Sequence, residues 1–336
     1  MFDIVAIGSA TQDVFLKVSF ALADKPEVPS GKAMFLPFGE KLSAEDIFFT
    51  IGGNAANASI TFARQGLKTA CVSKLGKDDA SEIFKKRLNK EGVNCKYLVQ
   101  TEDRPTSFSA LLLQDGERTI INYRGAANLF ALDDINLKKI KSSWWYLSLS
   151  GESISMYQSL LKYAKENNIR VAFNPTGYHL KHNRQEIIDS LSDLDFLVVN
   201  EGEAAELLGE SFSREKEEDV FNRLDNLMPG IIAVTNGDKG VMVSDGKFVY
   251  KAGIFLEKEI IDRTGAGDAF GSGFVSVLAR NGDDYKKSEI IKEAIRLASA
   301  NATSVVESLG ANEGILTKEL FLDPRWTNFD IIQKSL

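Results

Sequence analysis

The chain has 336 residues, of which 44% are hydrophobic and 26% charged, with a formal net charge of −7. That balance is ordinary for a soluble globular enzyme, and without a basic stripe it excludes broad nucleic-acid binding, although local donors can still hold a small anion. No apolar run approaches the length of a membrane span, so no membrane partner is expected.

In chain order, Ile4–Ile7 reads as a buried strand, followed by a helical pattern over 55–66. Strand Ala70–Lys74 and a helix over 79–91 come next, then strand Trp145–Leu149 and a helix over 153–167. Strands Val171–Asn174, Phe196–Asn200 and Ile231–Thr235 alternate with helices over 202–209 and 214–228. Such alternation predicts an α/β fold, a parallel sheet covered by helices on both faces. Two regions break the rhythm. Residues 14–50 contain strand-like Val14–Phe20, Ala33–Phe35 and Asp46–Thr50, and residues 96–124 contain Tyr97–Gln100, Ser107–Gln114 and Thr119–Tyr123. Asp115-Gly116 is a hairpin signal between the last two. These pieces are expected to form a small lid sheet, or else extra strands on the main sheet's edge. The run Arg214–Asp219 reads as a solvated helix face, and 317–336 as a helix-poor tail with a final packed segment.

Cys71 and Cys95 are the only cysteines, which predicts reduced thiols in a cytoplasmic protein. No basic segment followed by an apolar one opens the chain, so no secretory signal is expected. His179 and His182 fall in one polar loop and are expected to face solvent.

Ligands of parallel sheets bind beyond the carboxyl ends of the strands. Asp13 stands just past the first strand, where an acidic side chain can grip sugar hydroxyls or simply make a turn. Gly52-Gly53-Asn54-Ala55-Ala56-Asn57 opens a helical pattern; its glycines permit close backbone approach and its asparagines both donate and accept, or cap the helix. Asn200 and Glu203 sit three apart at a strand-to-helix turn, where they can orient Mg²⁺ waters and phosphate oxygens, or serve as an ordinary helix start. Thr235, Gly237 and Gly240 end the next strand as a nucleotide-side loop or a plain turn.

Residues 262–274, Asp-Arg-Thr-Gly-Ala-Gly-Asp-Ala-Phe-Gly-Ser-Gly-Phe, carry the most chemistry. Gly265, Ala266 and Gly267 precede Asp268 and an amphipathic run to about Arg280. A helix beginning there exposes unpartnered N–H groups that favour phosphate. A carboxylate in the same turn supplies the proton acceptor that phosphoryl transfer to a hydroxyl needs. Neither a P-loop nor a Gly-x-Gly-x-x-Gly after the first strand is present.

Together these segments resemble the ribokinase-like (PfkB) sugar kinase family over nearly the whole chain. The resemblance implies a single three-layer α/β/α domain over 1–336 with a β-sheet lid, ATP, Mg²⁺ and transfer to a hydroxymethyl group of a small carbohydrate. It makes Asp268 the general base and Gly265–Gly267 the anion hole. Asp13, Gly52, Gly53 and Asn57 match sugar-contacting positions, Asn200 and Glu203 the Mg²⁺/phosphate motif, and Thr235, Gly237 and Gly240 the nucleotide loop. Many members bind a monovalent cation such as K⁺, which here falls to carbonyls of Asp262 and Thr264 with Val305 and Gly310 opposite. Ribokinases proper tend to have Asn where Thr11 stands and Lys where Asn54 stands, which puts ribose itself in doubt. Apolar Met34-Phe35-Leu36-Pro37-Phe38 reads as a cover for a larger acceptor or, in preference, as a homodimer surface through the lid. Arg124 is expected to reach an acidic or phosphorylated substrate, or to be structural. The rival activities are a nucleoside kinase of the same fold and a sugar-binding sensor without catalysis.

Overall fold

The computed structural model describes the chain except Pro29, Ser30, Gly116 and the side chain of Arg214. It opens with β1 (Phe2–Gly8), then β2 (Thr11–Lys17), β3 (Ala21–Asp24), β4 (Lys32–Phe35), β5 (Asp46–Gly52) and α1 (Asn54–Arg64). β6 (Thr69–Gly76), α2 (Asp79–Lys90), β7 (Asn94–Thr101), β8 (Phe108–Gln114), β9 (Glu117–Tyr123) and β10 (Ser142–Ser148) follow. Next come α3 (Tyr157–Glu166), β11 (Arg170–Phe173), α4 (Gly177–Asp189), β12 (Phe196–Asn200), α5 (Glu201–Leu207) and α6 (Glu217–Leu227). The chain ends with β13 (Ile231–Thr235), β14 (Val241–Ser244), β15 (Phe248–Ala252), α7 (Ala266–Arg280), α8 (Ser288–Val306) and β16 (Ile331–Ser335).

A ten-stranded sheet runs β16-β15-β14-β13-β12-β11-β10-β1-β6-β7. From β7 to β13 the strands pair parallel, and β14, β15 and β16 add antiparallel pairs at one edge. Successive strand residues point to opposite faces, so the β-branched and aromatic runs feed two cores. Ile4, Trp144, Tyr146, Phe196 and Val198 pack with Phe62 of α1 and Phe274 of α7 on one face. Val5, Trp145, Leu147, Phe173 and Leu197 pack with Leu160 of α3 and Phe221 of α6 on the other. The result is the expected three-layer α/β arrangement. No helix among the described residues is long and apolar enough to cross a membrane.

A second sheet, β5-β2-β8-β9, projects from the end of β1. β8 and β9 pair antiparallel across Asp115, while Gly116 of the expected turn lies outside the described residues. Of the expected solvated face, Arg214's side chain is likewise outside them; Glu215, Lys216, Glu218 and Asp219 are exposed.

Several expectations need correction. Tyr97–Gln100 belongs to the main sheet and not to the lid: after crossover helix α2, β7 pairs parallel with β6. Ala33–Phe35 lies in β4, which pairs only with β3 as a separate two-stranded sheet. The polar loop containing His179 is helix α4, capped by Thr176, whose hydroxyl accepts the His179 N–H at 3.2 Å. His179 is fully buried between the rings of Tyr157 and Phe173, and that burial lowers its pKa to about 4. The tail contributes β16, an edge strand, and packs Trp326 and Phe329 on Phe255.

Candidate active site

Helix α7 begins where the carboxyl ends of β1, β11, β12 and β13 converge. Its first residue is preceded by Gly265 at φ 82°, a left-handed conformation. A Cβ there would lie 2.5 Å from the Cβ of Ala311, so the close approach of the 311 loop also requires glycine. A Cβ on Gly267 would meet nothing within 4 Å, because this turn faces open space. The first-turn N–H groups therefore point into a groove with no intrahelical acceptor.

Asp268 occupies the third position of α7. Asn57 Nδ2 donates to its Oδ2 at 3.0 Å and Asn174 Nδ2 to its Oδ1 at 3.1 Å. Ser272 Oγ closes on its backbone carbonyl at 2.5 Å. Burial pushes the carboxyl up to about 6, opposed by the two amide donors. The result is a carboxyl group held in one orientation. Asn57 is itself held, its Oδ1 accepting from Asn312 Nδ2 at 3.3 Å.

On one side of Asp268 lies a cavity of about 300 Å³, lined by Thr11, Asp13, Gly53, Asn54, Asn57, Ser109, Asn122, Arg124 and Asn128 among others. Asp13 projects from β2 and is only 6% exposed; its Oδ1 has no hydrogen-bond partner among the described residues. Burial raises its carboxyl to about 6 against the hydroxyls of Ser109 and Thr11, and the charge of Asp262 adds to the rise. Gly52 makes room for it, since a Cβ there would sit 2.0 Å from Asp13 Oδ2. Gly53, at φ 94°, caps α1 against Ser9 O, 2.6 Å from where its Cβ would be. Asn54 donates to Ser148 Oγ at 2.8 Å. Arg124 stacks on Tyr178, 4.1 Å from its ring centroid, at the cavity wall. None of Met34–Phe38 is among the residues lining this cavity, so the reading of that stretch as an acceptor cover has no support here.

On the other side, a groove of about 430 Å³ passes Asn174, Thr176, Asn200, Glu203, Thr235 and Arg263 along Gly265–Asp268. It continues into a cavity of about 310 Å³ lined by Thr235, Gly237, Gly240, Ile254, Phe270, Ala302, Thr303 and Val306. Asn200 and Thr235 are register partners at the ends of β12 and β13. Asn200 and Glu203 form a reciprocal cap, each backbone N–H donating to the other's side chain at 2.9 Å. The helix-start role and the groove position thus coexist. Burial raises the Glu203 carboxyl to about 7, and the charge of Asp268 adds to it. Gly240, at φ 94°, passes so close to Ala252 O that a Cβ would lie 2.0 Å away.

Asp262 is buried. Its Oδ1 accepts from Thr264 N–H at 2.9 Å and Thr264 Oγ1 at 2.6 Å, and its Oδ2 from Gly310 N–H at 3.2 Å. That carboxylate ties the segment before α7 to the loop after α8. The Val305 carbonyl accepts the Ser308 N–H at 3.0 Å. Asn174, Asn312 and Ser109 were not legible as site residues. Asn174 carried one signal, its place at a strand end before a proline.

The fold is a three-layer α/β arrangement in which the start of α7 and the oriented, buried Asp268 carboxyl lie between two cavities. The family model "pfkB family carbohydrate kinase" matches residues 1–318, and the chain belongs to that family. It is thus a kinase with an alcohol group as acceptor. A ribokinase of Lactococcus lactis is 26% identical over 319 residues, covering 94% of each chain. A nucleoside kinase of Methanothermobacter thermautotrophicus is 26% identical, covering 79% of this chain and 81% of its own. An Arabidopsis thaliana ribokinase, solved in complex with ribose and ATP, has the same fold: TM-score 0.77, 22% identity, 97% and 98% coverage.

Proposed function

We propose that the protein transfers the γ-phosphoryl group of ATP to a hydroxymethyl group of a small carbohydrate. The observation carrying this reading is Asp268, fixed by two amide donors at the junction of two cavities and in the first turn of α7. The acceptor hydroxyl lies against Asp268, which takes its proton as the hydroxyl oxygen attacks the γ-phosphorus. The amides of Gly265, Ala266 and Gly267 hold the negative charge of the transferring group. Asp13, Asn57 and the backbone opened by Gly52 and Gly53 grip the remaining hydroxyls, and Arg124 bounds the far side. Thr235, Gly237 and Gly240 border the nucleotide, with Asn200 and Glu203 beside its phosphates.

No group of three Asp, Glu, His or Cys side chains converges as a metal cage among the described residues. The donor set fits Mg²⁺ carried on the nucleotide, with Glu203 ordering one of its waters, since Mg²⁺ keeps several waters and few protein ligands. Bound there, Mg²⁺ would neutralise phosphate charge. A monovalent cation such as K⁺ would be held by carbonyls of Asp262, Thr264, Val305 and Gly310, whose segments the Asp262 carboxylate joins.

A sugar is favoured over a nucleoside because most residues lining the acceptor cavity bear hydroxyls, amides or charges, the apolar ones being Leu111, Ile120 and the small Ala10, Ala127 and Ala311, and none of the lining residues carries an aromatic ring for a base to stack on. The outer face of the lid exposes Ile47, Phe49, Phe108, Ile121 and Tyr123, neighbours across β5, β2, β8 and β9. Phe35, Leu36 and Phe38 of the stretch expected to pair are exposed as well, and they and this face are the proposed homodimer surface. The function is tested by ADP release from Mg-ATP across pentoses, hexoses, their monophosphates, sugar acids and nucleosides, with and without K⁺. A response to a sugar, lost in Asp268→Asn, is expected; a response to nucleosides alone overturns the sugar assignment.

A further inference from the structure

The loop after α8 has no regular structure, yet it is firmly held. Arg64, in the last turn of α1, donates from Nη1 to the carbonyls of Asn312 at 3.1 Å, Glu313 at 3.2 Å and Ile315 at 2.8 Å. Its Nε and Nη2 engage the Glu91 carboxylate at 2.8 Å each. Arg87 of α2 pairs with Glu313 at 2.9 Å. Charge-assisted forks of this kind fix geometry as well as adding energy. The side chain that this fixed backbone presents to the interior is Asn312, which is 0% exposed.

Asn312 Nδ2 donates in two directions, to the Ile51 carbonyl at 2.5 Å and to Asn57 Oδ1 at 3.3 Å. Ile51 lies in lid strand β5, and Asn57 in the first turn of α1. Asn57 in turn donates to Asp268 Oδ2 at 3.0 Å. Asn312 Oδ1 is buried with no hydrogen-bond partner among the described residues. A buried acceptor left unpaired costs stability. The amide cannot turn over to relieve that cost, because Oδ1 would then face two acceptors. Its orientation is therefore fixed, with both donors directed at the lid strand and at the partner of Asp268.

We infer that Asn312 is a positioning residue that ties the lid to the general base, one amide holding both the end of β5 and the Asn57 side chain that orients Asp268. Displacing β5 releases Ile51 from the same amide that holds Asn57. The seat of the lid and the orientation of the base are thereby set together. This inference rests on Asp268 as the base but on no particular acceptor.

Titration of the Asp268 carboxyl by NMR tests it without any acceptor. The full chain is ¹³C-labelled at its aspartate carboxyls, and the Asp268 signal is assigned by its absence in Asp268→Asn. Burial raises this carboxyl to about 6, and the Asn57 donor opposes the rise. Glu203 of α5 and Tyr146 of β10 also bear on it and are untouched by the substitution. Asn312→Leu is expected to raise the midpoint by roughly half to one pH unit, the worth of one weakened hydrogen bond to the ionised form. It is also expected to speed amide exchange along β5. In an Asn57→Ala background the same substitution is expected to move the midpoint no further, because the side chain it acts through is gone. Asn312→Ser keeps one donor on a shorter arm, is expected to fall between, and carries the test alone should the leucine variant not fold. An unmoved midpoint, an equal shift in the Asn57→Ala background, or unchanged exchange in β5 overturns the inference. Full turnover in Asp268→Asn instead overturns the reading of Asp268 as the base, and the role of Asn312 with it, whatever the titration shows.

Discussion

Replacing Asp268 by asparagine separates catalysis from stability. The carboxyl is raised from 3.8 to about 6 by burial, so the folded protein holds that proton more tightly than the unfolded chain. Stability from this group is fully present below pH 4 and is lost as pH rises through 6. Two pH units correspond to about 3 kcal/mol of penalty on the ionised form at neutral pH. Asparagine removes that penalty but turns one acceptor into an NH₂ facing Asn57 or Asn174, and Asn57 is held in place by Asn312. The clash of donors returns about 1 kcal/mol. The variant is therefore expected to be about 1–2 kcal/mol more stable than the parent at pH 8 and no more stable at pH 4, by urea denaturation at both. Turnover is expected to fall by about 10²–10⁴-fold, the usual worth of a general base, with nucleotide affinity retained. A stability difference independent of pH, or full activity in the variant, refutes the reasoning.

Asn174→Ala removes a donor that holds the Asp268 carboxyl down; the acid limb of the kcat/KM profile should move to higher pH, and an unmoved limb would separate Asn174 from the base. Gly265→Ala forces a side chain into a left-handed backbone and onto Ala311; a loss of about 2–4 kcal/mol is expected in denaturation, with activity abolished. Phe49→Glu places a charge on the exposed lid face; sedimentation should show a dimer for the parent and a monomer for the variant, and a monomeric parent would end the dimer proposal.

Much of this protein was determined locally. Strand–helix alternation follows from hydrophobic periodicity, so the layered sheet could be read directly. Gly52, Gly53 and Gly265 mark places where the backbone must come close to something, which made the start of α7 and its carboxylate visible as a candidate site in sequence. What the chain order could not supply is proximity between distant residues. Asn57 on α1, Asn174 just past β11 and Asp268 on α7 meet because the starts of α1 and α7 converge beside the carboxyl end of β11, and the hydrogen bonds that Asn57 and Asn174 make to Asp268 leave no periodic trace. The same holds for His179, whose polar neighbours in sequence conceal an aromatic cage made by Tyr157 and Phe173. Arg118 is a hydrophilic residue beside a turn until the lid sheet folds over α7 and brings it to Asp262. β7 joined the main sheet as its edge strand, pairing parallel with β6 after crossover helix α2. Local propensity made it a strand; only the tertiary structure decided which sheet received it.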